Sequence, residues 1–270
     1  LTAQQTRETP SRPAFFEALE RSLARRGIEL EDFCPRADCV AARVLEEYGA
    51  MFVAEGVELP SVCIFETGEQ VRRFQERVGW RAQDVGGAVV ELQPRAMLSL
   101  VAARAEALDA GLDITPRGGP EAGRRSFEDS LRLWHSRCGP ALEHWCGRGQ
   151  LSADEAERLR GLPLREQVAA VLELERGGIF FSKCFGKSIL QSVAAPGASQ
   201  HLAMLAFDAV QFRDPRVRQI LARHGWFQTV LSDLPHFTYL GLAERELPRR
   251  GLRPVEEAGQ KFWVPDIRES

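Results

Sequence analysis

The sequence predicts an α+β fold: a small, mainly antiparallel sheet with flanking helices, a helical N-terminal region and a helical insertion. Three observations carry this. Helical periodicity fills the first part of the chain and returns between about residues 120 and 180. Short β-branched or aromatic runs lie between the helices. Glycine and proline punctuate the elements without a linker long enough to mark a boundary. Strands and helices that are segregated rather than regularly alternating favour α+β over a parallel α/β sheet. The expected layout is a helical region over 1–66 packed on a core formed by 67–270, with the insertion at about 120–180.

In chain order, PAFFEALERSLARRG places Phe15, Leu19 and Leu23 at helical spacing, and ADCVAARVLEEYGAMFVA is a second helical pattern. Pro60–Phe65 reads as a short buried strand, followed by a helix that Thr67 caps. AVVELQ is β-branched and reads as a strand. The long helix PRAMLSLVAARAEALDAG begins at Pro94 and ends at Gly111. Leu112–Thr115 reads as a strand entering the turn PRGGP. The middle of the chain is helical, broken at Gly139–Pro140 and restarted by a capping box at Ser152 and Glu155. FDAVQF and HFTYLG read as strands, with the helix DPRVRQILARHGW between them.

The 270 residues carry 44% hydrophobic and 27% charged side chains and a formal net charge of −3. That balance lacks the concentrated basic face nucleic acid requires, and the Arg-rich pieces RSLARR and RGGPEAGRR read as solvated surface. No apolar run is long enough for a membrane span. The polar start at Leu1 suits either an exported protein whose signal has been removed or a trimmed chain. Six cysteines, with Cys34/Cys39 and Cys138/Cys146 locally spaced, would allow two disulfides in an oxidising compartment. None of the spacings is CxxC, which argues against a cysteine-built zinc site.

The chemistry concentrates in PGASQHLAMLAFDAVQF and DLPHFTYLG. An aspartate and two histidines there sit among apolar residues, where an unpaired carboxylate or imidazole is costly to desolvate. In an extended AFDAVQF, Ala206, Asp208, Val210 and Phe212 share one face. His201 can fold back beside that strand, and His236 opens the next, with Asp233 three residues before it. Two histidines and a carboxylate, with a fourth position open, is a common catalytic zinc arrangement.

The pattern SxHxxxxAxD, then DxPH, resembles the VanY-like D-Ala-D-Ala metallocarboxypeptidase family, a group that includes zinc endolysins and the hedgehog signalling domain. Its SxHxxGxAxD is carried by Ser199, His201, Ala206 and Asp208, its ExWH by Asp233 and His236, and its lead-in by Ala195–Gly197. The resemblance implies a hedgehog/DD-peptidase-like fold in which His201, Asp208 and His236 bind Zn²⁺. It gives Asp233 the place of the catalytic base. It also implies that Arg117, after the long helix and short strand, takes the place of the arginine in the family's SGYRS turn and holds a substrate carboxylate. Three positions depart from the pattern: Met204 replaces a glycine, Pro235 a tryptophan, and Asp233 a glutamate one methylene longer. Ser199 is expected to hydrogen-bond the metal loop, and Lys183 and Lys187, in the segment feeding it, to line the substrate cleft.

The implied activity is a zinc-dependent peptidase acting on peptidoglycan stem peptides, first as a D-alanyl-D-alanine carboxypeptidase, in a bacterial periplasmic or secreted setting. The alternatives are a cell-wall endopeptidase and a zinc-containing binding module that has lost the reaction.

Overall fold

The computed structural model describes residues 13–35, 37–231 and 233–268, so the polar segment at the start, 1–12, lies outside the described residues. Helices dominate and the strands form small antiparallel sheets, in keeping with an α+β chain. The N-terminal region is built from α1 (Ala14–Ala24), the single turn α2 (Leu30–Phe33) and α3 (Cys39–Tyr48), then α4 (Gly68–Val78). Asp38 caps α3 by accepting from the Val40 and Ala41 amides, and Thr67 caps α4 by accepting from Gln70. A hairpin of β1 (Arg81–Val85) and β2 (Ala88–Leu92) follows, turning through Gly86 and Gly87, both at positive φ. Helix α5 (Pro94–Asp109) starts on its proline as expected.

Three helices form the insertion: α6 (Phe127–Gly147), α7 (Ala153–Gly161) and α8 (Leu164–Arg176). The last third supplies β3 (Ala206–Asp208), α9 (Pro215–Arg223), β4 (Trp226–Phe227) and β5 (His236–Tyr239), with strand order β3-β5-β4. A final hairpin joins β6 (Leu252–Glu257) to β7 (Gln260–Pro265).

Two apolar clusters hold these elements. One gathers Phe15, Leu19, Phe33 and Leu45 of the first helices with Leu100, Phe207, Trp226 and Phe237, so the N-terminal helices are buried against the β3-β5-β4 sheet's own core. The other, around Trp134, Leu142, Val168, Val171 and Phe181, belongs to the insertion, and it also takes in Val44 and Ala198. Ile64 packs against both. Burial of these side chains is the main favourable term holding the layers together.

The structure corrects several expectations. Pro60–Phe65 is not a strand but an irregular segment whose Phe65 amide donates to the Gly197 carbonyl at 3.0 Å. Leu112–Thr115 leads only into an isolated bridge, Pro116 with Ala209. The FDAVQF strand stops at Asp208, where the chain turns away, leaving Val210 48% exposed. Helix α6 runs through Gly139–Pro140 without a break. Pro140 cannot donate to the Ser136 carbonyl one turn back, and the Arg137 guanidinium reaches that oxygen instead, at 3.5 Å. The expected pairs Cys34/Cys39 and Cys138/Cys146 are not bonded, and all six cysteines are free thiols.

Gly197 sits where no other residue fits. Its φ is +83°, and a Cβ there would lie 1.8 Å from the Phe65 carbonyl oxygen. Gly197→Ala is therefore expected to cost at least about 2 kcal/mol, through backbone strain and displacement of Phe65. Urea unfolding of the two proteins checks this, and equal midpoints would contradict it.

Candidate metal centre

The β3–β5 register places Asp208 directly opposite His236, so the two side chains emerge side by side from one face of the sheet. His201 comes from a 3₁₀ turn, Gln200–Ala203, that leads into β3. Ser199 caps this turn, its hydroxyl accepting from the His201 amide at 3.4 Å. Met204 ends the turn at φ +56° and is fully buried. The backbone at this position is left-handed, a conformation that glycine adopts far more readily than methionine. Here Met204 bears a strain of about 1–2 kcal/mol while filling core volume.

Glutamines tie the turn down. Gln93 donates to the Ala203 carbonyl at 2.8 Å and Gln75 to the Leu202 carbonyl at 3.1 Å. Nearly all of His201 and His236 is buried, at 1% and 5% exposed.

Side-chain hydrogen bonds fix which ring nitrogens carry protons. His201 Nδ1 lies 2.6 Å from the Gly123 carbonyl; a carbonyl only accepts, so Nδ1 holds the hydrogen and the neutral ring's lone pair sits on Nε2. His236 Nε2 lies 2.8 Å from Gln200 Oε1. That amide is oriented by its own nitrogen, which donates to the Tyr48 carbonyl at 3.0 Å, and by Thr238, whose hydroxyl donates to Oε1 at 2.5 Å. So His236 Nε2 donates and, in the neutral ring, Nδ1 keeps its lone pair. These two lone pairs face Asp208 Oδ1 from 3.4 and 3.2 Å. Ligand atoms of all three residues lie within 4.8 Å of one another, and His201 Nε2 is buried with no hydrogen-bond partner.

Three acceptors converging in a largely buried site repel each other unless a cation lies between them. This orphaned nitrogen and the donor set, two imidazoles and a carboxylate, fit zinc. Partners that hold the far side of each ligand are the usual support of such a centre.

Asp208 has a second partner. Its Oδ2 accepts from Arg125 Nη2 at 2.6 Å, and Arg125 Nε donates to the Glu121 carbonyl at 2.8 Å. Burial alone would raise the Asp208 pKa, but the neighbouring His201 and His236 imidazoles hold it well below the usual carboxylate range. Burial, with Arg125 and His236 adding to it, pushes His201 down to about 4 against the opposing pull of Asp208.

Arg125 was hidden in a stretch expected to be solvated surface. Its neighbour Arg124 is also engaged, with Glu91 at 2.9 Å and Gln75 at 2.8 Å. The legible signal was Gly123-Arg124-Arg125-Ser126, which repeats the glycine-x-arginine-serine order of the SGYRS turn. Arg117, given that place from sequence, is exposed, with its guanidinium 5.9 Å from the Phe212 ring centroid. Its amide, not its side chain, reaches the site, donating to the Asp208 carbonyl at 2.8 Å.

Asp233 is half-buried, and it lines a hollow of about 470 Å³ with Lys183, Cys184, Lys187, Gln191 and Ser192. Burial raises its pKa, Asp208 adds to this, and His236, Arg125 and Lys187 oppose it. The two lysines thus stand in one hollow with the expected base. Glu175 of α8 holds their loop: it accepts from the Phe181 and Ile189 amides at 3.0 and 2.6 Å and from the Ser188 hydroxyl at 2.6 Å. A larger hollow of about 810 Å³ lies between α9 and the β6–β7 hairpin, and none of the three convergent ligands lines it. His224, 2.8 Å from Glu106, is occupied on the α5–α9 surface, and His144 stacks on Phe185 with ring centroids 4.1 Å apart.

No protein-family model and no curated protein matches the chain. Among solved structures, it is similar to the crystal structure of a vancomycin resistance D,D-pentapeptidase VanY, a glutamate-to-alanine mutant from a VanB-type resistance cassette, in complex with Zn(II). The two are 17% identical, the match covers 62% of this chain and 82% of that one, and the TM-score is 0.35.

The His201 shift has a measurable consequence in metal-free protein. Its folded pKa, about 4, lies below the unfolded value of 6.5, so the unfolded chain binds the proton first and stability is lost as pH falls from 6.5 towards 4. The loss is expected to reach about 3 kcal/mol. Urea unfolding of chelated protein across this window measures it, with His201→Gln as control. A slope that survives the substitution unchanged would contradict the assignment.

Proposed function

We propose that this protein is a zinc-dependent peptidase acting on peptidoglycan peptides, most specifically a D-alanyl-D-alanine carboxypeptidase. One observation carries the reading: lone pairs on His201 Nε2, Asp208 Oδ1 and His236 Nδ1 converge within 4.8 Å of one another, the first of them buried and unpartnered. The resemblance of SxHxxxxAxD and DxPH to the metallocarboxypeptidase pattern supports it.

Zinc held by His201, Asp208 and His236 would supply Lewis acidity, activating water near neutral pH and polarising the scissile carbonyl. The protein's own groups do the rest. Asp233 accepts the proton of the attacking water on its carboxylate and delivers it to the leaving amine. Its raised pKa suits a group that must both take and give a proton. Arg125 acts as a positioning residue: by holding Asp208 Oδ2 it turns Oδ1 towards the histidines. Lys183 and Lys187, standing in the hollow with Asp233, supply positive charge for a peptide's terminal carboxylate. Arg117, exposed near Phe212, is the second proposed partner for a substrate carboxylate, and Ser199 shapes the loop that carries His201.

The test is release of D-alanine from a peptide ending in D-alanyl-D-alanine, by protein loaded with zinc. Release is expected, with Asp233→Asn lowering kcat by about 100-fold or more and the Lys183→Ala, Lys187→Ala double variant raising KM. Cleavage only within longer wall peptides would select the endopeptidase. Zinc-loaded protein that hydrolyses no wall peptide, with Asp233→Asn indistinguishable from it, would overturn the peptidase reading and leave a zinc-holding module.

A further inference from the structure

Two cysteines far apart in sequence meet behind the metal loop. Cys34 follows α2 and is 5% exposed; Cys63 lies in the irregular segment after it and is 6% exposed. The Cys63 amide donates to the Phe33 carbonyl at 3.1 Å, which brings the two backbones side by side. The two buried thiols also act on each other electrostatically, Cys63 raising the Cys34 pKa and Cys34 lowering that of Cys63. Cys39, the sequence neighbour of Cys34, is instead exposed at the start of α3.

We propose that Cys34 and Cys63 are a disulfide-forming pair, and that their bond staples the N-terminal helices to the segment backing the metal loop. The mechanical route is short. Phe65, two residues after Cys63, holds the Gly197 carbonyl through its amide at 3.0 Å, and Gly197 lies four residues before His201. On the other side, Phe33, adjacent to Cys34, packs edge-on against Phe52 with ring centroids 4.8 Å apart. A bond between the sulfurs therefore ties α2 and its apolar contacts to the loop that presents a metal ligand.

The chemistry needs a disulfide donor, and oxidised glutathione serves as the probe. The Cys63 thiolate attacks one sulfur of the donor, forming a mixed disulfide and releasing one glutathione thiol. The Cys34 thiolate then attacks the Cys63 sulfur, closing the protein disulfide as the second glutathione thiol leaves. Two electrons and two protons pass from the protein to the donor. Interaction with the Cys34 thiol lowers the Cys63 pKa, which favours Cys63 as the first nucleophile. Both sulfurs are buried, so closure belongs to the folding chain or to a local opening.

The full-length protein is incubated natively, and in parallel refolded, in a mixture of oxidised and reduced glutathione. It is then acid-quenched, alkylated in denaturant without reductant, digested and read by mass spectrometry. The expected result is a peptide linking Cys34 to Cys63, absent from Cys34→Ser and Cys63→Ser. The thermal midpoint of the oxidised protein is expected to exceed that of the reduced protein, and the Cys34→Ser, Cys63→Ser double variant to show no such redox dependence. Cys34 and Cys63 both recovered alkylated in both arms, or Cys34 recovered linked to Cys39, would overturn the proposal. None of these readouts involves zinc or hydrolysis, so they stand apart from the peptidase reading.

Discussion

The structure turns on the pairing of Asp208 with His236 across the β3–β5 ladder. Antiparallel register puts both side chains on one face, and the 3₁₀ turn before β3 folds His201 onto the same point. Each ligand is then oriented from behind: His201 by the Gly123 carbonyl, His236 by Gln200, Asp208 by Arg125. The result is a set of acceptors held at 3.2–3.4 Å from one oxygen. Positive charge at its centre stabilises such an arrangement strongly, because burial reduces the screening by water that would otherwise weaken the repulsion. Much of the surrounding architecture serves to keep these atoms from relaxing apart.

The supporting parts come from all along the chain. Gln75 of α4 and Gln93, just before α5, close hydrogen bonds on the turn carrying His201, and Tyr48 at the end of α3 orients Gln200 through its carbonyl. The insertion contributes differently. Its buried Glu175 gathers the ends of the Gly178–Ile189 loop, whose residues form one wall of the hollow containing Asp233. The first helices and the insertion thus act on the same site from two sides, one ordering the ligands and the other shaping the approach to them.

The convergence of His201, Asp208 and His236 was legible in the sequence because their chemistry is local: imidazoles and a carboxylate among apolar residues, at spacings that the SxHxxxxAxD and DxPH patterns record. Capped helices were legible for the same reason, as at Thr67 and Ser152. Features fixed by tertiary context were not. The β6–β7 hairpin turns through Ala258 and Gly259, with Ala258 at φ +50°, so its turn lacks the usual Asn-Gly or Gly-Gly marker. Pro140 signalled a break that Arg137 and packing around Trp134 and Leu142 make unnecessary. Arg125 looked like surface because its partner, Asp208, lies 83 residues away. Arg117 looked like the site's arginine because it follows a helix and an apparent strand, but the structure brings only its amide to Asp208. The Cys34–Cys63 contact was hidden in the same way, by a preference for close spacing over proximity in the fold.

Three lone pairs converging on one point call for a bound cation. Metal content by mass spectrometry, on protein purified without chelator, tests this most directly alongside His236→Ala and Asp233→Asn. The prediction is about one zinc per chain in the native protein and in Asp233→Asn, and a loss of zinc in His236→Ala. Native protein that stays free of zinc after the metal is added back, or a His236→Ala variant that binds it as well as the parent, would contradict the claim.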